Sequence, residues 1–332
     1  SRRMREFSAM TENMSEGFLL IDLRGRVLTE NHSASMLLPT DADNIAKCSQ
    51  RELCQAAQQA LTGQRCERLL QQGERTLSVI ASPVLESGQV TGAVVLTLDV
   101  TEREQREKLR REFSANVSHE LKTPLTSISG FAELMQAGLV PMEKVQEFSA
   151  DIYRESCRLL ELVNDIIKLS RLDEGGDKLE RQRVELHALA ENVLANLESV
   201  AEKCHVTLSL TGGAAYVTGV PALLSEMLYN LCDNAVKYNV DGGSVRVDIA
   251  QSTAETVLTV SDTGIGIPYA HQSRVFERFY RVDKSHSRQS GGTGLGLSIV
   301  KHAVQYLGGR IELESQPGKG TTMRVHFPDG NA

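Results

Sequence analysis

The hydrophobic and polar positions of this chain change period several times, and each change marks an element. Gly17 to Asn31 (GFLLIDLRGRVLTEN) alternates and breaks at Arg24-Gly25, which predicts a hairpin of two strands. A short polar helix from about Glu6 to Met14 precedes it. Arg75 to Leu85 (RTLSVIASPVL) and Val90 to Leu98 (VTGAVVLTL) read as two more strands joined by Glu86-Ser87-Gly88, with short helical pieces and the breakers Pro39 and Gly63 before them. Strands first and last with small helices between predict an antiparallel sheet with helices on one face, over residues 5–100.

The pattern then turns helical. Thr101 to Glu112 (TEREQREKLRRE) is almost all charged, and Thr101 with Glu104 reads as a capping box. Leu109, Phe113, Val117 and Leu121 continue one apolar stripe, so a single helix is expected from about Glu102 to Gln136, about 52 Å long. Pro124 should bend it. Gly138 ends this helix and Pro141 opens another that reaches about Leu172. Ile152, Leu159 and Ile166, with Phe148, Leu162 and Leu169, keep a seven-residue register; Glu155 is the polar exception. One such hairpin cannot bury both stripes, whereas two copies close a four-helix bundle, so a homodimer is expected. Asp173 to Asp177 (DEGGD) reads as a linker. From Val184 the period is mixed again, with helices expected near 185–203, 221–238 and 295–307 and strands near 205–210, 244–250, 256–261, 310–315 and 321–327.

Length and composition narrow the class. The 332 residues suggest two or three domains, and 41% hydrophobic with 24% charged residues is an ordinary globular balance. The net charge of −7 supplies no basic field for nucleic acid, so no such partner is expected. The longest nearly apolar run, Gly92 to Leu98, falls short of the roughly 20 residues of a membrane helix. The chain opens on Ser1 with Arg2, Arg3 and Arg5 close behind. We therefore expect a piece of a longer protein, truncated near a juxtamembrane start at 1–4, with any membrane contact confined to a missing N-terminal part. Six cysteines without a CxxC pair read as reduced thiols, neither disulfides nor zinc ligands.

Five stretches carry candidate chemistry. In Ser114 to Gly130 (SANVSHELKTPLTSISG), His119 lies beside Glu120, four residues before Thr123 and ahead of Pro124. A neutral imidazole is a nucleophile toward phosphorus, and a carboxylate taking the proton of one ring nitrogen frees the other. Thr123, one turn on, shares the face of His119 and could orient a water; otherwise its hydroxyl simply bonds back to the His119 carbonyl. In Glu226 to Tyr238 (EMLYNLCDNAVKY), Asn230, Asn234 and Lys237 share a helix side: amide oxygens suit Mg²⁺, Lys237 a phosphate, and Tyr238 offers an aromatic face. A plain polar face is the bland alternative.

In Val260 to Pro268 (VSDTGIGIP), Asp262 can accept from the exocyclic amine of adenine while Gly264 and Gly266 leave bare backbone against the base; a strand-end turn is the alternative. Phe276 to Tyr280 (FERFY) could be core packing. Gly291 to Leu297 (GGTGLGL) opens an apolar helix, so Gly292, Thr293, Gly294, Leu295 and Gly296 can present backbone N–H groups to phosphate. The polar run before it, Val282 to Ser290, does not read as the strand a Rossmann loop requires; it reads as a lid whose Arg288 could reach a γ-phosphate.

The HELKTPL run resembles the H-box of bacterial sensor histidine kinases, with His119 as the phosphorylated residue. EMLYNLCDNAVKY resembles their N-box, which implies Asn234 as the leading Mg²⁺ ligand with Asn230 assisting, and FERFY resembles the F-box that anchors a lid. The five boxes stand in the family's order. Residues 5–100 resemble a PAS sensor unit ending in the Asp99-Val100-Thr101 junction of such domains, and FERFYRVDKSHSRQSGGTGLGL resembles the phosphate-regulon and cell-wall membrane sensors. Gly219-Val220 stands where such kinases often read Gly-Asp. No flavin-type cysteine signature is present in the PAS unit, and His32 in NHSASML reads as packing.

The resemblance implies a multidomain fold: an α/β PAS sheet over 5–100, a helical linker over 101–112, a dimerisation and phosphotransfer hairpin over 113–175, and an α/β sandwich ATP-binding domain over 182–330. It implies ATP and Mg²⁺ as cofactors, a response regulator receiver domain as partner, an unidentified PAS ligand or signal, and a cytoplasmic place beneath the membrane. The implied activity is autophosphorylation of His119, transfer to an aspartate of the regulator, and dephosphorylation of that regulator. Two rival functions are another ATPase of the same nucleotide-binding fold, which the His119 box opposes, and a binding module with a dead kinase domain, which the intact Asn234, Asp262 and glycine boxes oppose.

Overall fold

The computed structural model describes residues 10–38, 44–45, 50–173, 180–282 and 292–328. Pro39, Cys48, Arg288, Gly291, the linker after Asp173 and residues 6–9 of the first expected helix lie outside them. The chain divides into two compact units, Ser1–Ser114 and Ala115–Ala332.

In the first unit, β1 (Gly17–Asp22) and β2 (Val27–Glu30) form the expected hairpin. They are followed by α1 (His32–Leu37), α2 (Arg51–Leu61), β3 (Cys66–Gln72), β4 (Arg75–Glu86) and β5 (Gln89–Asp99). The sheet is antiparallel throughout, in the order β2-β1-β5-β4-β3. Alternate strand residues (Leu19, Ile21, Leu77, Val79, Ala93, Val95) pack on Leu53, Ala56, Ala57 and Ala60 of α2, so one sheet face makes the core. The strand β3 escaped the sequence pattern because its CERLLQQ is mostly polar and only Cys66 and Leu70 face inward.

The long helix α3 spans Thr101–Gln136 with Pro124 inside it. Its start is not the expected capping box. Asp99 Oδ1 takes the Thr101 N–H at 3.0 Å and the Thr101 hydroxyl at 2.5 Å, and that hydroxyl accepts the Thr76 N–H at 2.8 Å. The last residue of β5 therefore caps the helix, because β4 lies close enough to occupy the threonine. The Thr101 hydroxyl, and then its N–H, hold the Asp99 carboxyl below its ordinary value.

In the second unit a 3₁₀ turn at Met142–Lys144 leads into α4 (Val145–Asp173). Phe131 and Phe148 meet edge to face at 5.3 Å and tie α3 to α4. Of the expected stripe only Leu162 and Leu169 are buried, whereas Tyr153, Leu160, Val163 and Ile167 are exposed.

The rest is an α/β lobe: β6 (Gln182–Glu185), α5 (Leu186–Lys203), β7 (Thr207–Gly212), β8 (Tyr216–Gly219), α6 (Pro221–Lys237), β9 (Ser244–Gln251), β10 (Glu255–Asp262), α7 (Tyr269–Gln272), α8 (Gly296–Tyr306), β11 (Arg310–Gln316) and β12 (Gly320–Pro328). Its sheet runs β11-β12-β10-β9-β7, antiparallel except for the parallel β7–β9 pair, and β6 pairs with β8 in a small ribbon. Residues of α5, α6 and α8 share one core with Val245, Val247, Leu258, Val260 and Phe327 of the sheet. Among the described residues no helix is long and apolar enough to cross a membrane.

Candidate functional site

The chemistry-bearing residues of the second unit fall at the ends of α6, β10 and α8 and on α3. Asp262 closes β10, where the strand buries its carboxyl by half. Its Oδ1 accepts the Gly264 N–H at 2.8 Å and the Thr321 N–H at 3.1 Å, which leaves Oδ2 with its lone pairs free to accept. Burial raises the Asp262 carboxyl above its ordinary value, and the two backbone bonds offset that only in part. Glycine is required beside it. A methyl group on Gly264 would collide with the Tyr238 carbonyl oxygen, and one on Gly266 (φ +68°) with the Gln316 carbonyl oxygen.

On α6 the apolar face (Leu224, Met227, Leu228, Leu231) anchors the helix in the core and turns Asn230 and Asn234 outward. Asn230 Nδ2 donates to the Glu226 carbonyl at 2.9 Å and to Glu226 Oε1 at 3.1 Å, which aims Oδ1 away from Glu226. A methyl group built on Gly296 would sit 2.9 Å from that Oδ1 and 3.8 Å from Asn234 Nδ2, so the two amides meet the first turn of α8. Lys237 is turned elsewhere: its Nζ pairs with Asp233 at 2.8 Å. Burial pulls the Lys237 ammonium down, but Asp233 outweighs it and the net direction is up. Tyr238 lies half-exposed, its hydroxyl 3.3 Å from where a methyl on Gly292 would stand.

Leu295 is fully buried and opens α8 without a side-chain cap, so the first N–H groups of an 11-residue helix keep their bonding capacity. The loop before it is pinned by backbone. Gly294 (φ +74°) gives its carbonyl to the Phe279 N–H at 2.9 Å, and Phe279 itself sits at φ +63°, a conformation that costs a non-glycine residue about 1–2 kcal/mol. Phe276 packs against the lobe core. The Thr293 hydroxyl donates to Asp165 Oδ2 on α4 at 2.7 Å.

His119 is 80% exposed on α3, with Nδ1 3.7 Å from Glu120 Oε1. Glu120 Oε2 lies 4.0 Å from both Arg158 and Arg281, and Arg281 also donates to the Gly292 carbonyl. The His119 turn of α3 and the glycine loop are thus joined through Glu120 and Arg281. Thr123 Oγ1 donates back to the His119 carbonyl at 3.2 Å, the simpler of its two expected roles. Asp165, Glu226, Arg281 and Thr321 were not legible as site residues. Arg281 stands one residue past FERFY and Glu226 opens the EMLYNLCDNAVKY stretch itself, one turn before Asn230, whereas Asp165 and Thr321 come from remote elements and carry no local signature.

The site fits a magnesium nucleotide by the chemistry of its donors. It offers paired amides for a hard cation, a half-buried carboxylate with a free oxygen for an amine, and an uncapped helix start for phosphate. Among the described residues no group of three or more His, Cys, Asp and Glu side chains could hold a metal.

Comparison with known proteins accords with this layout. The family described as "Histidine kinase-, DNA gyrase B-, and HSP90-like ATPase" matches residues 219–331, the "His Kinase A (phospho-acceptor) domain" matches 109–175, and the "PAS fold" matches 11–105. By its family, the 219–331 segment implies binding of ATP and Mg²⁺. The sensor protein kinase WalK of Staphylococcus saprophyticus is 32% identical over 351 residues, covering 99% of this chain and 57% of the relative. That of Staphylococcus aureus is 31% identical over 350 residues, covering 99% of this chain and 84% of the relative. The chain thus spans little more than half of the first relative and most of the second. Among solved structures, histidine kinase ThkA in complex with response regulator protein TrrA aligns with a TM-score of 0.54 at 21% identity, over 97% of each chain. Acinetobacter baumannii histidine kinase AdeS aligns with 0.53 at 23% identity, over 64% of this chain and 98% of its own. These two show likeness of fold.

Proposed function

This chain belongs to the sensor histidine kinases, and from that premise we propose that it moves the γ-phosphoryl group of ATP onto His119, passes it to an aspartate of a response regulator receiver domain, and also dephosphorylates that regulator. The observation that carries the reading is the run of contacts from His119 through Glu120 and Arg281 to Gly292, which links an exposed imidazole to a phosphate-type glycine loop. The ThkA structure, solved with a response regulator protein, supports that class of partner.

Each residue has a task in this reading. Glu120 draws the proton of His119 Nδ1, so that Nε2 carries the lone pair that attacks phosphorus. The N–P bond forms as the bond from the γ-phosphorus to the ADP oxygen breaks, and the proton rests on Glu120. Asp262 Oδ2 accepts the adenine amine beside Gly264 and Gly266. Gly292, Thr293, Gly294 and Gly296 offer backbone N–H groups to the phosphates, and Leu295 does so once its N–H leaves the Thr293 hydroxyl, with Lys237 supplying charge once it leaves Asp233 and Tyr238 flanking the base. Asn234 and Asn230 would hold Mg²⁺, which when bound neutralises charge on the transferring group. Thr123 would orient the water that attacks the regulator's aspartyl-phosphate after releasing the His119 carbonyl.

We also propose that two hairpins close a four-helix bundle. The support is the exposed seam of Tyr153, Leu160 and Ile167, one heptad apart, with Val163 between them. The division into a sensor unit at 5–100, a linker at 101–112, a hairpin at 113–175 and an ATP-binding domain at 182–330 belongs to the same reading. So does a cytoplasmic place as part of a membrane-attached sensor answering a PAS ligand or signal. The test is incubation with γ-³²P-ATP and Mg²⁺. Acid-labile, alkali-stable label on His119 that chases onto a receiver domain is the expected result; acid-stable label, or ATP hydrolysis with no label on the protein, rejects it.

A further inference from the structure

Beside the Glu120–Arg281 contact from α3, helix α4 engages the nucleotide side of the lobe at two points that lie three residues apart. At the first, Thr293 of the glycine loop donates its hydroxyl proton to Asp165 Oδ2 at 2.7 Å, and the same Oγ1 accepts the Leu295 N–H at 3.2 Å. At the second, Lys168 Nζ pairs at 2.8 Å with Glu226 Oε1, the atom that also takes the Asn230 amide at 3.1 Å. Residues at i and i+3 share a helix face, so one turn of α4 addresses both the glycine loop and the amide pair.

The chemistry of the first contact makes it a rival of the nucleotide. A hydroxyl has one proton to donate, so a carboxylate and a phosphate oxygen cannot both receive it from Thr293. Asp165 is half-buried, where like charges repel more strongly than in water, and a phosphate brought to the glycine loop would face its carboxylate. Lys237 lies within electrostatic reach of Asp165 as well, so the carboxylate also claims part of the cation assigned to phosphate. The second contact is a more exposed ion pair and holds less firmly.

We propose that Asp165 and Lys168 form a latch by which the hairpin holds the lobe, and that the Asp165 carboxylate competes with the nucleotide's phosphates for Thr293 and the glycine loop. This rests on the reading of that loop as the phosphate site. Coupling between two ligands of one site is reciprocal: nucleotide binding loosens the hairpin, and anything that tightens the hairpin against the lobe expels nucleotide. A signal arriving along α3 and α4 could then set nucleotide occupancy without touching the lobe core.

The test is calorimetric titration of the full chain with Mg²⁺ and a non-hydrolysable ATP analogue, in the wild type and in Asp165→Ala, Asp165→Asn and Lys168→Ala. Affinity should rise about fivefold or more in Asp165→Ala, by an intermediate factor in Asp165→Asn, which keeps an acceptor but loses the charge, and least in Lys168→Ala. Hydrogen exchange over residues 160–170 of the wild type should quicken when the analogue is added. Unchanged or weaker affinity in Asp165→Asn, or exchange that does not respond, overturns the latch while leaving the phosphate loop intact. A wild type that binds no analogue overturns the loop reading and the latch with it. Should Asp165→Ala fail to fold, the isosteric Asn variant and the wild-type exchange measurement decide.

Discussion

Along α4 only Leu162 and Leu169 are buried while Tyr153, Leu160, Val163 and Ile167 face outward, whereas α6 buries Leu224, Met227, Leu228, Leu231, Cys232, Ala235 and Val236. The polar residues of the hairpin and the lobe that carry these helices differ in the same sense. His119 stands 80% exposed with its nearest carboxylate at 3.7 Å, while Asp262 is held by two backbone N–H groups inside a cradle of glycines. Burial also pushes the Cys232 thiol on α6 up to about 12, which makes it an inert core group. The lobe is internally complete and pre-organised for one ligand. The hairpin leaves an apolar seam uncovered and the His119 imidazole exposed. Substitutions in the hairpin should therefore alter partnership and transfer with little cost to folding, whereas those in the lobe should alter binding and stability together.

The sharpest way to break this contrast is His119→Gln. Incorporation of ³²P from γ-labelled ATP should vanish completely, while nucleotide affinity and the thermal midpoint stay near wild type, because the imidazole supports no packing. A variant that still gains acid-labile label would show that the exposed imidazole is not the nucleophile.

Next comes the exposed seam. Leu160→Glu removes an apolar anchor of about 1.5–3 kcal/mol from each of two copies, so the dimer dissociation constant should rise about 10²–10⁴-fold by sedimentation equilibrium. A wild-type chain that already sediments as a monomer would instead mean that the seam is not a dimer surface.

Thr123→Ala tests the accessible face itself. Phosphatase activity toward the phosphorylated regulator should fall by up to about 10²–10⁴-fold, with autophosphorylation losing much less. If both rates fall equally, or neither does, the hydroxyl only serves the His119 carbonyl, as it does in this structure.

In the lobe, Asp262→Asn should weaken nucleotide about 5- to 150-fold. The Asn oxygen can keep both backbone bonds, but its NH₂ then faces the adenine amine, donor against donor. The same change should raise the thermal midpoint of the free protein slightly at neutral pH. Burial raises the Asp262 carboxyl, so the folded state holds that proton more tightly than the unfolded one, and ionisation costs stability above the folded pKa. The gain from Asn should therefore shrink as pH falls through the raised value toward the ordinary 3.8. A thermal midpoint lower than wild type at neutral pH would mean that the carboxylate stabilises the lobe instead.

Much of the fold was legible because long elements average over local noise. The helix expected at 221–238 is Pro221–Lys237, and the strands expected at 244–250 and 256–261 are Ser244–Gln251 and Glu255–Asp262. The elements that escaped, Cys66–Gln72, Gln182–Glu185 and Tyr216–Gly219, are short or mostly polar and are held in place by neighbours. The capping box failed for a related reason, since Thr101 is claimed by Thr76, 25 residues away.

What the amino-acid order determined by itself is whatever rests on periodicity and local chemistry. That covers the antiparallel first sheet, the two long helices, the amide pair at Asn230 and Asn234, and the glycines that admit backbone conformations closed to other residues. Only the tertiary structure decided which of these groups are already spent. Lys237 lies against Asp233, Glu120 lies near two arginines, and Thr293 is bound to Asp165 across 128 residues of chain. A hydrogen bond acts over about 3 Å, and its partner is set by the packing of whole elements, so no window of sequence contains it.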